Sequence, residues 1–403
     1  MLPRLLRWAR SRGRWVLLLL LGVLAAFAGR LLWAEHHLRA GRRALERRAY
    51  PEARAHLDRY LRVWPRSAPA HLLAARCARG ASDFDEAERL LSACADLGAD
   101  QKALALEEYL LDAQRGTLNR LGEGVLWHRV EQGDPETPHI LEALALGCLY
   151  TNRPGEAMAC LDRWLAYSPG DSQALYLRGL ARQGTGDRDG AGQDYRQAVR
   201  RDPGHAQARL RLAEYLLYDK KYEEAAEHFR QLLARDRETA PLLGLARCRH
   251  LQGQTDEAQR LLDEVLARES PPVAALVERA RLAAERADFR AAERWYRRAL
   301  DRDPSDHEAN YGLAHALRAL RRPEESEAVE ARTARIERDL KRLFELHEQM
   351  GKKPGDPDLA YEAGLICLRN GQKVEARRWF RKALRLDPRH EGARRGLEQL
   401  ARE

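Results

Sequence analysis

Asp356–Pro388 reads DPDLAYEAGLICLRNGQKVEARRWFRKALRLDP. Ala376 is followed four residues later by Phe380 and twelve residues later by Pro388. An alanine and an aromatic residue four apart lie on one helix face. Proline cannot donate the next helical hydrogen bond, so it ends that helix. Gly364 falls where an earlier helix crosses this one, and the two small residues let the backbones approach closely. The stretch therefore reads as a helix, a turn and a second helix.

The same markers recur along the chain. Ala53/Leu57, Ala87/Leu91, Ala157/Leu161, Ala191/Tyr195, Ala225/Phe229, Ala258/Leu262 and Ala292/Tyr296 repeat the pair at spacings of 34 or 33, or about twice 34. Pro65, Pro169, Pro203 and Pro304 stand twelve residues after four of those alanines. Leu121 and Ser326 fill the two slots without alanine. Residues 34–403 hold ten such units, with two residues added in the third, one lost in the sixth, a 16-residue insertion and a 13-residue tail. A fixed period of this length marks a stacked array, because no single unit buries its own apolar face.

From about Ala34 to His390 the chain resembles the tetratricopeptide repeat family, on the strength of the A-x3-F pair and the late proline. The resemblance implies an all-α solenoid of helical hairpins, a right-handed superhelix, preceded here by one N-terminal transmembrane helix. The organisation expected is a basic tail (1–14), a membrane helix (15–34), repeats over 34–322, a long charged helix and loop (323–356), a repeat (357–390) and a capping helix (391–403). The third unit, Lys102–Thr137, lacks both alanine and proline. In the ninth, Glu330 takes an apolar slot, so the register is lost there. Ile336, Leu340, Leu343, His347 and Met350 are then expected as the seam of the long helix, packed on a neighbouring repeat.

Charge separates the N-terminus from the rest. The chain carries 70 Lys+Arg and 61 Asp+Glu, a net charge of +9 over 403 residues. Residues 1–33 contain six arginines and no acid, which leaves only +3 for the other 370. Trp15–Gly29 is uncharged, and Arg30 can snorkel to the interface, so Trp15–Ala34 reads as a single-pass anchor. The repeats are then placed on the extracytoplasmic side of a bacterial inner membrane. Ala26-Phe27-Ala28 also fits a signal-peptide cleavage site, the basis of a secreted alternative. Nucleic-acid binding through Arg-rich helices is a third option, to which a repeat domain so close to neutral gives little support.

No catalytic motif stands out. There is no phosphate-binding G-x-x-x-x-G-K-[ST] loop and no H-E-x-x-H zinc helix. Gly184–Gly190 has the wrong spacing for a nucleotide loop and falls at a turn between helices. Cys77, Cys94, Cys148, Cys160, Cys248 and Cys367 form no C-x-x-C and read as small core residues, with Cys77/Cys94 and Cys148/Cys160 each placed on one hairpin. His36-His37 reads as a solvated interfacial pair rather than a metal site. No cofactor and no metal are expected, and the chain is not expected to be an enzyme.

The resemblance implies a concave face, lined by the first helix of each hairpin, that holds a protein or peptide. Counting from the packing residues places Arg42, Arg76, Arg79, Tyr150, Tyr176, Tyr218, Arg247, His250, Arg281, Tyr311, His315, Arg318 and Tyr361 there. Arginine and tyrosine are common anchors of binding hot spots. The family's carboxylate clamp is not reproduced, since Arg42, Arg76 and Leu180 stand in its asparagine slot. The function expected is a membrane-anchored scaffold for protein–protein interaction. The alternatives are a secreted form of it and a non-catalytic subunit of an envelope enzyme complex.

Overall fold

A computed structural model describes residues 28–353 and 355–402. Among these residues the regular structure is helical throughout, with no strand. The chain forms two compact units, residues 1–208 and 209–403. The greater part of the expected membrane helix, residues 15–27, lies outside the described residues. No described helix is long and apolar enough to cross a membrane.

The first unit stacks five hairpins. They are α1 (28–46) with α2 (Tyr50–Val63), α3 (Ala68–Gly80) with α4 (Phe84–Asp96), α5 (Gln101–Arg115) with α6 (Arg120–Glu131), α7 (Thr137–Tyr150) with α8 (Pro154–Tyr167), and α9 (Ser172–Thr185) with α10 (Arg188–Arg201). The helix α11 (Ala206–Tyr218) carries residues of both units. The second unit continues with α12 (Tyr222–Leu233), α13 (Thr239–Leu251), α14 (Thr255–Leu266), α15 (Val273–Glu285), α16 (Phe289–Arg302), α17 (His307–Ala319), α18 (Pro323–Lys352), α19 (Pro357–Arg369), α20 (Lys373–Leu386) and the cap α21 (Glu391–Arg402).

Local chemistry sets the helix ends. Asp83, Asp100, Asn119, Asp171, Asp187, Asp288, Asp306 and Asp356 cap N-termini by accepting backbone N–H bonds. The second helices α2, α8, α10, α16 and α20 each stop two residues before a proline. Where that proline is missing, α4 and α6 stop before Gly98 and Gly133, both in the left-handed region. Within each hairpin the turn also needs one left-handed residue. Arg48, Ser82, Gly116, Asn152, Gly186, Lys220, Gly253, Ala287, Arg321 and Gly371 fill that place, one per hairpin. Only four of the ten are glycine.

The expected packing pairs are buried. Phe380 shows how the stack closes: a Cβ at Gly364 would stand 2.5 Å from its ring, and one at Gly396 2.6 Å from it. One glycine belongs to the same hairpin and the other to the cap, so the ring is gripped from both sides. Tyr195 sits in the same way against Gly179.

Four sequence expectations need correction. Leu121 does not fill the alanine slot of the third hairpin: it is 76% exposed, while Gly122 and Leu126 are buried in its place. Gly122 lies against Tyr109 and Leu118, so the two extra residues are split, one before and one after it. Register also survives at the ninth hairpin. Ser326 is buried and its hydroxyl donates to the Ala314 carbonyl at 3.0 Å, doing the packing work of alanine. Glu330 stays at the surface and accepts from Arg318 at 2.8 Å.

The seam of α18 is rotated from the expected one. Ile336, Asp339, Leu346 and Met350 are buried, whereas Leu340 and His347 are exposed. The buried Asp339 accepts from Arg369 Nε at 2.9 Å, which lets a carboxylate sit in the packing row. Finally, His36 is exposed but His37 is buried, edge-on to Trp33, with its Nδ1 2.7 Å from His56 Nδ1.

Candidate functional site

The inner side of the first unit encloses a cleft of about 1100 Å³. Its walls come from the first helices of the hairpins, from Arg42 on α1 to Gln207 on α11, and from turns between helices such as those at Arg48 and Ser82. Burial of a charge is tolerated only with a partner, and the cleft wall is built on such pairs. Glu107 on α5 lies almost wholly out of solvent between two arginines of α3. Arg76 Nε stands 2.5 Å from one oxygen and Arg79 Nε 3.3 Å from the other. Arg76 also reaches Glu136 at 3.3 Å, and Arg79 donates to Gln114 at 3.3 Å. Across the cleft, Arg48 donates to both oxygens of Glu142, at 3.3 and 3.4 Å. Tyr50 beside it is half-buried against Gly80, and desolvation of the ring pushes its hydroxyl up to about 12. Tyr176 packs its ring 5.1 Å from His205 and 6.3 Å from Tyr195. Burial holds the His205 imidazole below its ordinary value.

The second unit repeats the first unit's charge pattern. Glu278 on α15 is buried and accepts from Arg247 of α13 at 2.6 Å and from Arg281. His250 Nδ1 stands 3.9 Å from Glu278, and its Nε2 is 2.6 Å from Glu285. Arg76 and Arg79 precede Glu107 by the same intervals at which Arg247 and His250 precede Glu278. A basic pair on one first helix thus grips a carboxylate on the next.

The residues expected on the binding face therefore divide. Arg76, Arg79, Arg247, His250, Arg281 and Arg318 are all engaged by acids of the chain itself. Tyr176 and Tyr361 fill gaps between hairpins, the latter 4.7 Å from His390 and 5.9 Å from Phe380. His315 is exposed at the surface, with Phe289 6.1 Å away. Tyr150, Tyr218 and Tyr311 present their rings to solvent, at 74%, 65% and 67% exposure. Arg42 is exposed and lines the cleft.

Sequence reading missed Arg48, Glu107, Glu142 and Glu278. The recurring interval between basic pair and carboxylate was a signal for two of them. Arg48 and Glu142 left none, because only the coiling of the first unit brings them together. Among the described residues, no group of three or more His, Cys, Asp or Glu is placed to hold a metal ion.

Comparison with known proteins agrees with the repeat. Models of the tetratricopeptide repeat match residues 38–102, 178–241, 216–280, 277–339 and 357–390. A stretch of 127 residues is 35% identical to "Cellulose synthase operon protein C" of Pseudomonas fluorescens (strain SBW25), covering 29% of this chain and 10% of that protein. A stretch of 91 residues is 32% identical to the "FK506-binding protein-like" protein of Mus musculus, covering 23% of this chain and 26% of that one. The match thus spans a tenth and about a quarter of the length of these relatives. Among solved structures, a tetratricopeptide repeat protein from Parabacteroides merdae ATCC 43184 is 16% identical, with a TM-score of 0.37, covering 71% of this chain and 99% of that one. The repeat matches together cover well over half of the chain, and with hairpins of one period packed through buried pairs of alanine with leucine or an aromatic residue, the chain belongs to the tetratricopeptide repeat family.

Proposed function

We propose that this protein is a membrane-anchored scaffold that holds a protein or peptide in the cleft of its first unit and has no catalysis of its own. Repeats of this family bind proteins or peptides in general. The observation that carries the reading here is the cleft itself, walled by consecutive hairpins and holding both ion pairs and apolar side chains such as Leu73, Leu177 and Leu180. A photoreactive residue at Leu180 is expected to capture one set of partners, and the same residue at the exposed Leu121 is expected not to. Equal capture from both positions would remove the cleft as the binding site.

Anchoring through Trp15–Ala34, with the repeats on the extracytoplasmic side, belongs to the same reading and rests on the apolar run and its flanking arginines. Membranes washed with carbonate should retain the protein. Release of a soluble chain that begins near Gly29 would favour the secreted form instead. The match to a cellulose synthase operon protein favours the further alternative of a non-catalytic subunit in an envelope enzyme complex.

A further inference from the structure

We infer that the outer face of α20 docks on an anionic lipid bilayer surface. Arg377, Arg378, Arg381 and Arg385 are all exposed, while Ala376, Phe380 and Ala383 bury the opposite face. At ~100° per residue the four arginines fall within a single arc of about 100°, and they span about 12 Å along the axis. None of them makes an ion pair among the described residues. Other arginines at the surface do: Arg230 engages Glu223 and Glu227, and the half-buried Arg322 engages Glu293 and Glu325, whereas a run of four unpaired arginines on one helix face is concentrated here.

The charge at this end of the chain is also concentrated. Residues 373–402 hold ten Lys and Arg against four acids, whereas residues 34–372 carry a net −2. A basic domain end on an otherwise slightly acidic array is what adhesion to an anionic surface requires.

Two features favour a bilayer over a nucleic acid. Val374 lies within the arginine arc and is 60% exposed, so an apolar side chain sits where it can enter the headgroup region. Single-stranded nucleic acid is held by exposed aromatic rings between the cations. The one tryptophan of α20, Trp379, is half-buried and covered by Lys382, 5.0 Å from its ring centre.

All six natural cysteines are buried, so a dye on the full-length Val374→Cys protein reports this face alone. Vesicles with about 30% phosphatidylglycerol should shift the dye to the blue, and phosphatidylcholine vesicles should not. Changing the four arginines to glutamine should weaken the response at least about a hundredfold, taking roughly fivefold per arginine. Salt near about 0.5 M should abolish it without any substitution, which keeps the test independent of the variant's folding. An equal response to both vesicle types, a response that survives salt, or a dye that answers to an oligonucleotide and not to anionic vesicles would overturn the proposal.

Discussion

Arg48 and Glu142 are separated by 94 residues and meet in a two-pronged ion pair. Arg48 occupies the left-handed turn of the first hairpin, and Glu142 lies on the first helix of the fourth. The same guanidinium stands 5.7 Å over the ring of the fully buried Trp164. The first unit is therefore coiled tightly enough for its opening turn to touch its fourth hairpin. A repeat array held only by nearest neighbours would have no such contact.

Arg48→Ala should cost about 2–4 kcal/mol, because it strands a Glu142 carboxylate that is largely out of solvent. The double variant Arg48→Met, Glu142→Leu should recover most of that loss. Urea midpoints of the wild type, Arg48→Met, Glu142→Leu and the double variant measure the coupling. Additive losses would mean that the pair does not close the unit.

A Cβ at Gly147 would lie 1.9 Å from the Ala113 carbonyl oxygen, a backbone atom that cannot turn away. Gly147→Ala should therefore destabilise by about 3 kcal/mol or more. A Cβ at Gly124, within α6, meets nothing within 4 Å. Gly124→Ala should stabilise by roughly 0.5–1 kcal/mol from helix propensity alone. Thermal melts of the two variants should move in opposite directions.

Ala287 holds φ at 58° in the same turn place that Gly186 and Gly253 fill elsewhere. A left-handed residue with a Cβ costs about 1–2 kcal/mol, part of which glycine returns as chain entropy. Ala287→Gly should raise stability by about 0.5 kcal/mol, and Gly186→Ala should lower it by about 1 kcal/mol. Equal signs in a denaturation experiment would refute the turn argument.

Burial lowers the His37 imidazole first, followed by the neighbouring His56, Arg59, His36 and Arg62, and burial also lowers His205. Between these depressed values and the ordinary 6.5, the unfolded chain binds more protons than the folded one. The stability these groups contribute is complete above about pH 6.5 and is lost as pH falls through the folded values. His37→Gln should flatten the slope of urea stability against pH between about pH 7 and 5.5. An unchanged slope would show that the His37–His56 contact does not exclude a proton.

Burial pushes the thiols of Cys77, Cys94, Cys248 and Cys367 up to about 11, and all six cysteines are buried and unbridged. Cys148 and Cys160 lie on the two helices of one hairpin, and the interaction of the two thiols lowers the first and raises the second. Alkylation at pH 8 should leave the folded protein unmodified, since all six sulfurs are buried out of reach and for all but Cys148 burial also suppresses the reactive thiolate. Denaturation without reductant should then expose all six. A count of four after unfolding would mean that one hairpin carries a disulfide.

By itself the sequence determined the hairpin, its period and its packing pair. Each of these rests on residues close together in the chain: alanine and aromatic on one face, proline at the helix end, aspartate at the start. Where the marker changed identity, local reading slipped. Gly122 does the work assigned to Leu121, and the register expected to be lost at Glu330 holds, because Ser326 keeps the slot it was given by donating its hydroxyl to a carbonyl of the preceding helix. Only the tertiary structure decided which charges face one another. Arg76, Arg79, Arg247 and Arg281 read as free anchors in the sequence, yet each is held by a carboxylate of its own or the next hairpin. Arg48 and Glu142 meet because small rotations between successive hairpins add up over four repeats, and an accumulated rotation is written in no single repeat.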